Sequence, residues 1–485
     1  MDKKKIIFFG VALLTLAVIL MLPLPPEIKM GTKTIALTSA GKASLAVMAM
    51  VVILWISEAV PFAIAGLFGM SVMVMTKAST LKPLVQDGFG NSIILFFIGV
   101  LIFSAAISHT SLLERLTGKL LYKLGHSPKS ILFVFLVIGV VLSGWITDMA
   151  VAAMLAPIAV TILKKAKVQP LKSNFGKALL IACAWGPHIG GIATPAGCGP
   201  NPLTMTFLHD LAGIDFTFID WMILGYPAAI LMTPISWILL IWAFPFEKID
   251  LKVTEADYKK QIKKFGKITY KEIATVAICF LTMILWIFGA WIADWSGGAI
   301  DYLGIKFVAI TCACLFFLPG IAIVPWKKAE SDINWGGIIL IVTGLAMGTV
   351  VYKTGAAEWI AMLAFNKLAL LHPVMIIFTI VIGVSVMKVM FSSNTVAGII
   401  MVPLLIALAK NIGVDPVLVA LAAGITVSLA FILVTTTPTN VIPYSTGYFS
   451  IRDMMKVGIW MTIAAAVCVT ISIAVMGALF GIVKL

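Results

Sequence analysis

The chain is a succession of apolar runs separated by short polar connections. Runs fall near residues 6–24, 43–60, 61–76, 92–108, 130–146, 150–163, 178–193, 220–244, 272–293, 306–324, 335–352, 359–370, 375–390, 396–409, 417–434 and 457–482. Many approach the roughly 20 residues that carry a helix across a bilayer core of about 30 Å. There are more segments than full crossings need, and several are short or interrupted. The pattern predicts an all-α polytopic membrane protein. Lys3, Lys4 and Lys5 lead into Ile6–Leu22, and the run ends in Pro23, Pro25 and Pro26. No small-x-small cleavage site follows, so the first run is expected to remain as a span.

Composition narrows the class. Of 485 residues, 61% are hydrophobic and 12% charged, with a mean hydropathy of +1.10. Soluble domains carry about 45–50% apolar and about 25% charged residues. A water-soluble enzyme, a nucleic-acid binder and a disulfide scaffold are excluded on that ground. The net charge of +14 comes almost wholly from lysines in the connections, since Arg115 and Arg452 are the only arginines. That distribution is how positive-inside topology is written, and it places the N-terminus in the cytoplasm, in an inner (cytoplasmic) cell membrane. The clusters at Arg115, Lys119, Lys123 and Lys129, and at Lys164, Lys165, Lys167 and Lys172, are further cytoplasmic candidates. Six cysteines lie in apolar surroundings with no histidine beside them, so neither a metal site nor a cofactor is expected. Cys312 and Cys314 read as small core residues.

The one long polar stretch, 247–272, divides the chain nearly in half and is expected to be a cytoplasmic linker, an amphipathic helix on the membrane surface. It separates an N-terminal half, 1–246, from a C-terminal half, 273–485. The halves echo one another. Ile94-Leu95-Phe96-Phe97-Ile98-Gly99 matches Ile339-Leu340-Ile341-Val342-Thr343-Gly344 at an offset of 245. Thr147-Asp148, followed by Pro157, matches Ser393-Asn394, followed by Pro403, at 246. Thr194-Pro195 with Pro200-Asn201 echoes Thr437-Pro438 with Thr439-Asn440, at offsets of 243 and 239. Internal symmetry with broken apolar segments at matching places points to a secondary transporter with a midplane site. Hydrocarbon cannot hydrogen-bond an open backbone, so an unwound stretch persists only where it lines a polar cavity. Trp145–Met149 and Phe391–Thr395 are such stretches, and the free N–H groups of the half-helices after them form two anion sockets.

These motifs resemble those of the divalent anion/sodium symporter family of dicarboxylate and citrate carriers. The family has a Ser-Asn-Thr triplet in each repeat, which holds the substrate carboxylates, with Thr-Pro and Pro-Asn loops downstream. Ser393-Asn394-Thr395 is intact here. Thr194-Pro195 to Pro200-Asn201, and Thr437-Pro438-Thr439-Asn440, match the loops. The resemblance implies two inverted repeats with re-entrant hairpins and broken helices, a scaffold plus a transport domain, an elevator-like motion and a homodimer in the lipid bilayer. The hairpins are expected around Gly88–Ser108 and Asn334–Thr354. Substrate contacts are expected from Thr147, Asp148, Thr194, Pro195, Asn201, Ser393, Asn394, Thr395, Pro438, Thr439 and Asn440. The substrates would be C4 or C5 dicarboxylate anions such as succinate, malate or 2-oxoglutarate.

Three departures bear on coupling. Thr147-Asp148-Met149 replaces the first triplet, His188 stands where a small hydroxyl residue is usual, and Lys388 precedes the second triplet. A fixed ammonium repels Na⁺ at low effective dielectric. Lys388 and His188 are therefore expected to supply the charge that sodium supplies elsewhere, with Asp148 as a partner, and transport is expected to be sodium-independent exchange. A sodium- or proton-coupled dicarboxylate or citrate symporter shares every motif and is the alternative. The polar residues also admit a plain role as interhelical hydrogen-bonding groups. A membrane enzyme is disfavoured, because no nucleophile has a plausible base and no soluble catalytic domain is present. Glu58 suggests no mechanism.

Overall fold

Every apolar run named above contains a helix in the computed structural model, which describes residues 3–30, 33–124, 127–249, 266–298, 300, 302–365 and 371–483. The rest of the described chain adds short helices and one antiparallel hairpin, β1 (Ile28–Met30) with β2 (Lys33–Ile35). Residues 250–265 and His126 lie outside the described residues, and with them most of the expected amphipathic linker. Seven of the described helices are long and apolar enough to cross a membrane.

Helix α1 (Lys3–Met21) precedes two sets of elements in matching order. The first set is α2 (Ser39–Ser57), α3 (Phe62–Met75), α4 (Leu81–Asp87), α5 (Ile93–Ser108), α6 (Leu112–Leu124), α7 (Pro128–Ser143), α8 (Asp148–Lys165), α9 (Asn174–Gly191), α10 (Pro200–Phe207) and α11 (Phe218–Ala243). The second is α12 (Tyr270–Trp295), α13 (Ile305–Leu315), α14 (Trp326–Asp332), α15 (Trp335–Lys353), α16 (Ala356–Phe365), α17 (Pro373–Lys388), α18 (Asn394–Ile412), α19 (Pro416–Val427), α20 (Pro438–Tyr444) and α21 (Ile451–Ile471).

The same local chemistry starts the paired helices. Ser127 caps α7 and His372 caps α17, each followed by proline at the first helical position, where the missing N–H costs nothing. Thr217 with Asp220 and Ser450 with Asp453 form capping boxes at the starts of α11 and α21. Both reciprocal side-chain bonds are present at each, so two otherwise open N–H groups are satisfied.

The helical hairpins are α7–α8 and α17–α18. A Cβ added at Gly190 would stand 2.1 Å from Val140 O, and one at Gly186 would stand 3.0 Å from Leu136 O, so the end of α7 lies against the end of α9 and the two run parallel. Asp148, at the start of α8, also meets the end of α9, so α8 runs back antiparallel. On the other side, Lys388 at the end of α17 abuts Ala430 and Phe431, just after α19, while Asn394 at the start of α18 bonds to Ser428 O. The hairpins expected at Gly88–Ser108 and Asn334–Thr354 are not there: each range is occupied mainly by one continuous helix, α5 or α15. Length supplies the physical reason. A straight helix over residues 128–165 would reach about 57 Å at 1.5 Å per residue, nearly twice the bilayer core, so the polar interruption has to be a reversal.

One smaller expectation also changes. Cys314 is exposed rather than in the core. Trp291 and Trp295 face outward as an interfacial belt requires, but Trp286 is buried and stacks on Phe218 with ring centroids 4.9 Å apart. Glu58 ends α2 in the left-handed region, at φ 49°.

Candidate functional site

Each half contributes one hairpin tip and one broken helix. In the first, α9 stops at Gly191 and α10 begins at Pro200. In the second, α19 stops at Val427 and α20 begins at Pro438. An asparagine just inside each second segment closes the gap. Asn201 Nδ2 donates to Gly191 O and Thr194 O, both at 2.7 Å. Asn440 Nδ2 donates to Ala430 O at 2.8 Å and Leu433 O at 3.0 Å. Both asparagines reach 10 and 7 residues back along the chain, so the two loops are built alike. Removing either side chain would leave one buried carbonyl, Gly191 O or Ala430 O, without its partner, at about 1–3 kcal/mol, while Thr194 O keeps Gly197 N and Leu433 O keeps Thr436 Oγ1.

The halves interlock through the same residues. Asn201 Oδ1 accepts from Ser428 Oγ of the second half at 3.2 Å. Asn440 Oδ1 meets His188 Nε2 of the first half at 2.9 Å. Because both amide hydrogens of Asn440 are used, its oxygen is the acceptor and His188 Nε2 carries the proton. His188 and Ser428 are thus counterparts, which accounts for the histidine standing where a hydroxyl is usual. The packing crosses over too, with α8 against α20 and α18 against α10.

Both tips open on one cavity of about 460 Å³. Thr147, Asp148, Pro195, Ser393, Thr395 and Pro438 line it, drawn from both tips and both loops. The expected residues Thr194, Asn201, Asn394, Thr439 and Asn440 stand behind that wall, fully or nearly buried. Thr194 Oγ1 donates to Gly144 O and accepts from Ala196 N, tying the first loop to the end of the first hairpin arm. At the second tip Ser393 Oγ accepts from Val396 N at 3.4 Å, capping α18. At the first tip the Thr147 side chain makes no cap, and its hydroxyl lies 3.5 Å from Ser104 Oγ. The two helix starts therefore bring partial positive charge to one space, with the Asp148 carboxylate beside the first of them.

His188 and Lys388 sit just outside the cavity. His188 is fully buried, with Nδ1 3.5 Å from Asp148 Oδ2. Lys388 is 2% exposed and packs among Leu429–Leu433 and Thr436, and among the described residues its Nζ has no hydrogen-bond partner. Neither lines the cavity. Lys388 is in electrostatic reach of Asp148 and Cys198.

Sequence reasoning missed Cys198, which lines the cavity between the tips: Asp148 Oδ2 and Asn394 Nδ2 each lie 3.7 Å from its sulfur. Phe96, Phe97 and Val100 of α5, the segment Pro61–Ala63 and Ile338, Leu340 and Ile341 of α15 add apolar wall. These carry no polar signal, although Phe96 and Phe97 lie within the repeated motif of the first half. Among the described residues no group of His, Cys, Asp and Glu is placed to hold a metal ion.

Twin hairpins, twin broken helices and one shared midplane-type cavity define a secondary carrier of the two-repeat kind. A family profile described as the sodium:sulfate symporter transmembrane region matches residues 3–483, and the chain belongs to that family. Among its relatives is the sodium-dependent dicarboxylate transporter SdcS of Staphylococcus saprophyticus, 27% identical over 90% of this chain and 86% of the relative. SdcS of Staphylococcus aureus is 28% identical over 86% of this chain and 82% of that protein. The fold is shared with the YdaH transporter of Alcanivorax borkumensis, at a TM-score of 0.57 and 14% identity over 99% of this chain and 98% of that one. It is shared also with MtrF of Neisseria gonorrhoeae, at a TM-score of 0.58 and 15% identity over 96% and 94%.

Proposed function

We propose that the protein carries small dicarboxylate dianions, of four or five carbons, across the cytoplasmic membrane, one carboxylate at each hairpin tip. One observation carries this reading: Thr147 and Ser393, from opposite halves, line a single cavity. The names of the SdcS relatives support a dicarboxylate as substrate. In this scheme Thr147, Thr395, Ser393 and the starts of α8 and α18 hold the substrate. Asn201, Asn394, Thr439 and Asn440 hold the loops that shape the cavity. The halves 1–246 and 273–485 act as paired units joined by a cytoplasmic linker, with the N-terminus in the cytoplasm. The hairpins and broken helices slide as one body against the remaining helices, which also form a homodimer contact.

On coupling, the relatives' printed names back symport with a cation better than the exchange expected from the sequence. A specific observation keeps exchange as a second reading. Lys388 is buried beside the second tip without a hydrogen-bond partner among the described residues, and an ammonium there would be costly to move through the membrane barrier without a bound anion. Uptake of labelled succinate into proteoliposomes separates the possibilities. Uptake above that of protein-free vesicles is expected, with unaltered label inside, and its absence overturns the carrier reading. Acceleration by an inward Na⁺ gradient supports symport. Uptake that needs preloaded dicarboxylate and ignores Na⁺ supports exchange.

A further inference from the structure

A second cavity, of about 350 Å³, lies beside the first, with Val100 lining both. Its walls come from α5, the end of α7 and one face of α12, and it includes Trp145 and Ile146, immediately before Thr147. This space has nothing to offer water. Thr275 and Thr282 spend their hydroxyls on Lys271 O at 2.8 Å and Ile278 O at 2.7 Å. Trp286 Nε1 donates to Ile305 O at 3.1 Å, and Trp145 is hydrogen-bonded to Tyr226. Roomy cavities without polar partners exclude water and take apolar guests.

The mouth shows what that guest is. Val141 is 54% exposed, Val276 52% and Phe280 62%, and they continue into the outward apolar face of α12 at Ile273 and Phe288. In a chain of transmembrane family that face meets acyl chains, so the groove opens directly on lipid. Its linker-side end is cationic. Lys267 and Lys271 are exposed at the start of α12; Lys271 Nζ gives one hydrogen to Ile323 O at 3.0 Å, which leaves two of its three for a ligand. Arg115 fastens amphipathic α6 there through Glu272 at 2.6 Å, with Lys119 one turn further along.

We propose that an anionic phospholipid docks here, one acyl chain in the groove and its phosphate at Lys267 and Lys271. Basic residues at a membrane surface attract anionic headgroups. The chain would fill the space behind the tip of the first hairpin and brace Trp145 and Ile146 from outside. The proposal rests on the membrane setting and not on what the carrier moves, so it stands or falls separately from the substrate.

Full-length protein in detergent is titrated with phosphatidylglycerol bearing brominated acyl chains, and tryptophan fluorescence is read, since Trp145 and Trp286 line the groove. Saturable quenching is expected. Cys279→Phe, which fills the groove, should abolish that component. The double variant Lys267→Ala with Lys271→Ala keeps the groove intact and should weaken it at least threefold, as should brominated phosphatidylcholine in place of phosphatidylglycerol. Quenching that never saturates, or that is equal in wild type and the double variant, overturns the proposal. Should Cys279→Phe fail to fold, the lysine variant and the headgroup comparison still decide it.

Discussion

Lys388→Met is expected to leave the fold intact and to raise the half-saturating concentration of succinate at least tenfold. Methionine keeps most of the volume and flexibility of lysine and discards the charge. The ammonium of Lys388 is buried without a hydrogen-bond partner among the described residues, so removing it relieves a desolvation cost rather than breaking a bond. Thermal stability should therefore stay level or rise. The loss falls on binding. Two unit charges about 8 Å apart at an effective dielectric of about 20 attract by about 2 kcal/mol. Tenfold in affinity corresponds to about 1.4 kcal/mol. Melting temperature together with the concentration dependence of uptake checks both halves of the statement. An unchanged half-saturation would remove Lys388 from any part in holding the anion.

Thr147→Ala and Ser393→Ala should each weaken transport by about 10- to 100-fold, and together by the product of the two. A hydrogen bond to a charged group contributes about 1.5–3 kcal/mol, which sets the single values. Additivity is the informative part. Residues serving opposite carboxylates share no partner, and their effects should add within about 0.5 kcal/mol. Residues serving one carboxylate would not. Ser393→Ala also removes a helix cap, worth about 1 kcal/mol of stability, so melting curves should accompany the transport data. A double variant no worse than the weaker single would contradict a substrate held at both tips.

Much of this architecture is legible in the sequence because membrane physics narrows the options so far. Apolar length marks each span, and the offsets near 245 pair the halves without any geometry. The tips at Thr147 and Ser393 stand out because a polar cluster inside an apolar run survives only where it lines a cavity or bonds a neighbouring helix. Their shape is harder to read. A break within a crossing helix and a full reversal present the same polar cluster, so the motif alone does not place the hairpins, although the length of 128–165 requires the reversal. The asparagines are legible as cap or lining, and the structure gives Asn201 and Asn440 a third task, stitching loops across 7 and 10 residues. Cys198 is invisible because a cysteine among apolar residues looks the same whether it fills a core or faces a cavity.

Two anion sockets at a set separation impose a length on the molecule they hold, and a competition series reads that length directly. Unlabelled dicarboxylates from two to seven carbons would be added against labelled succinate uptake in proteoliposomes. A sharp optimum at four or five carbons is expected, with the shortest and longest acids and the monocarboxylate butyrate competing poorly. Competition that varies little with chain length, or butyrate matching succinate, would contradict it.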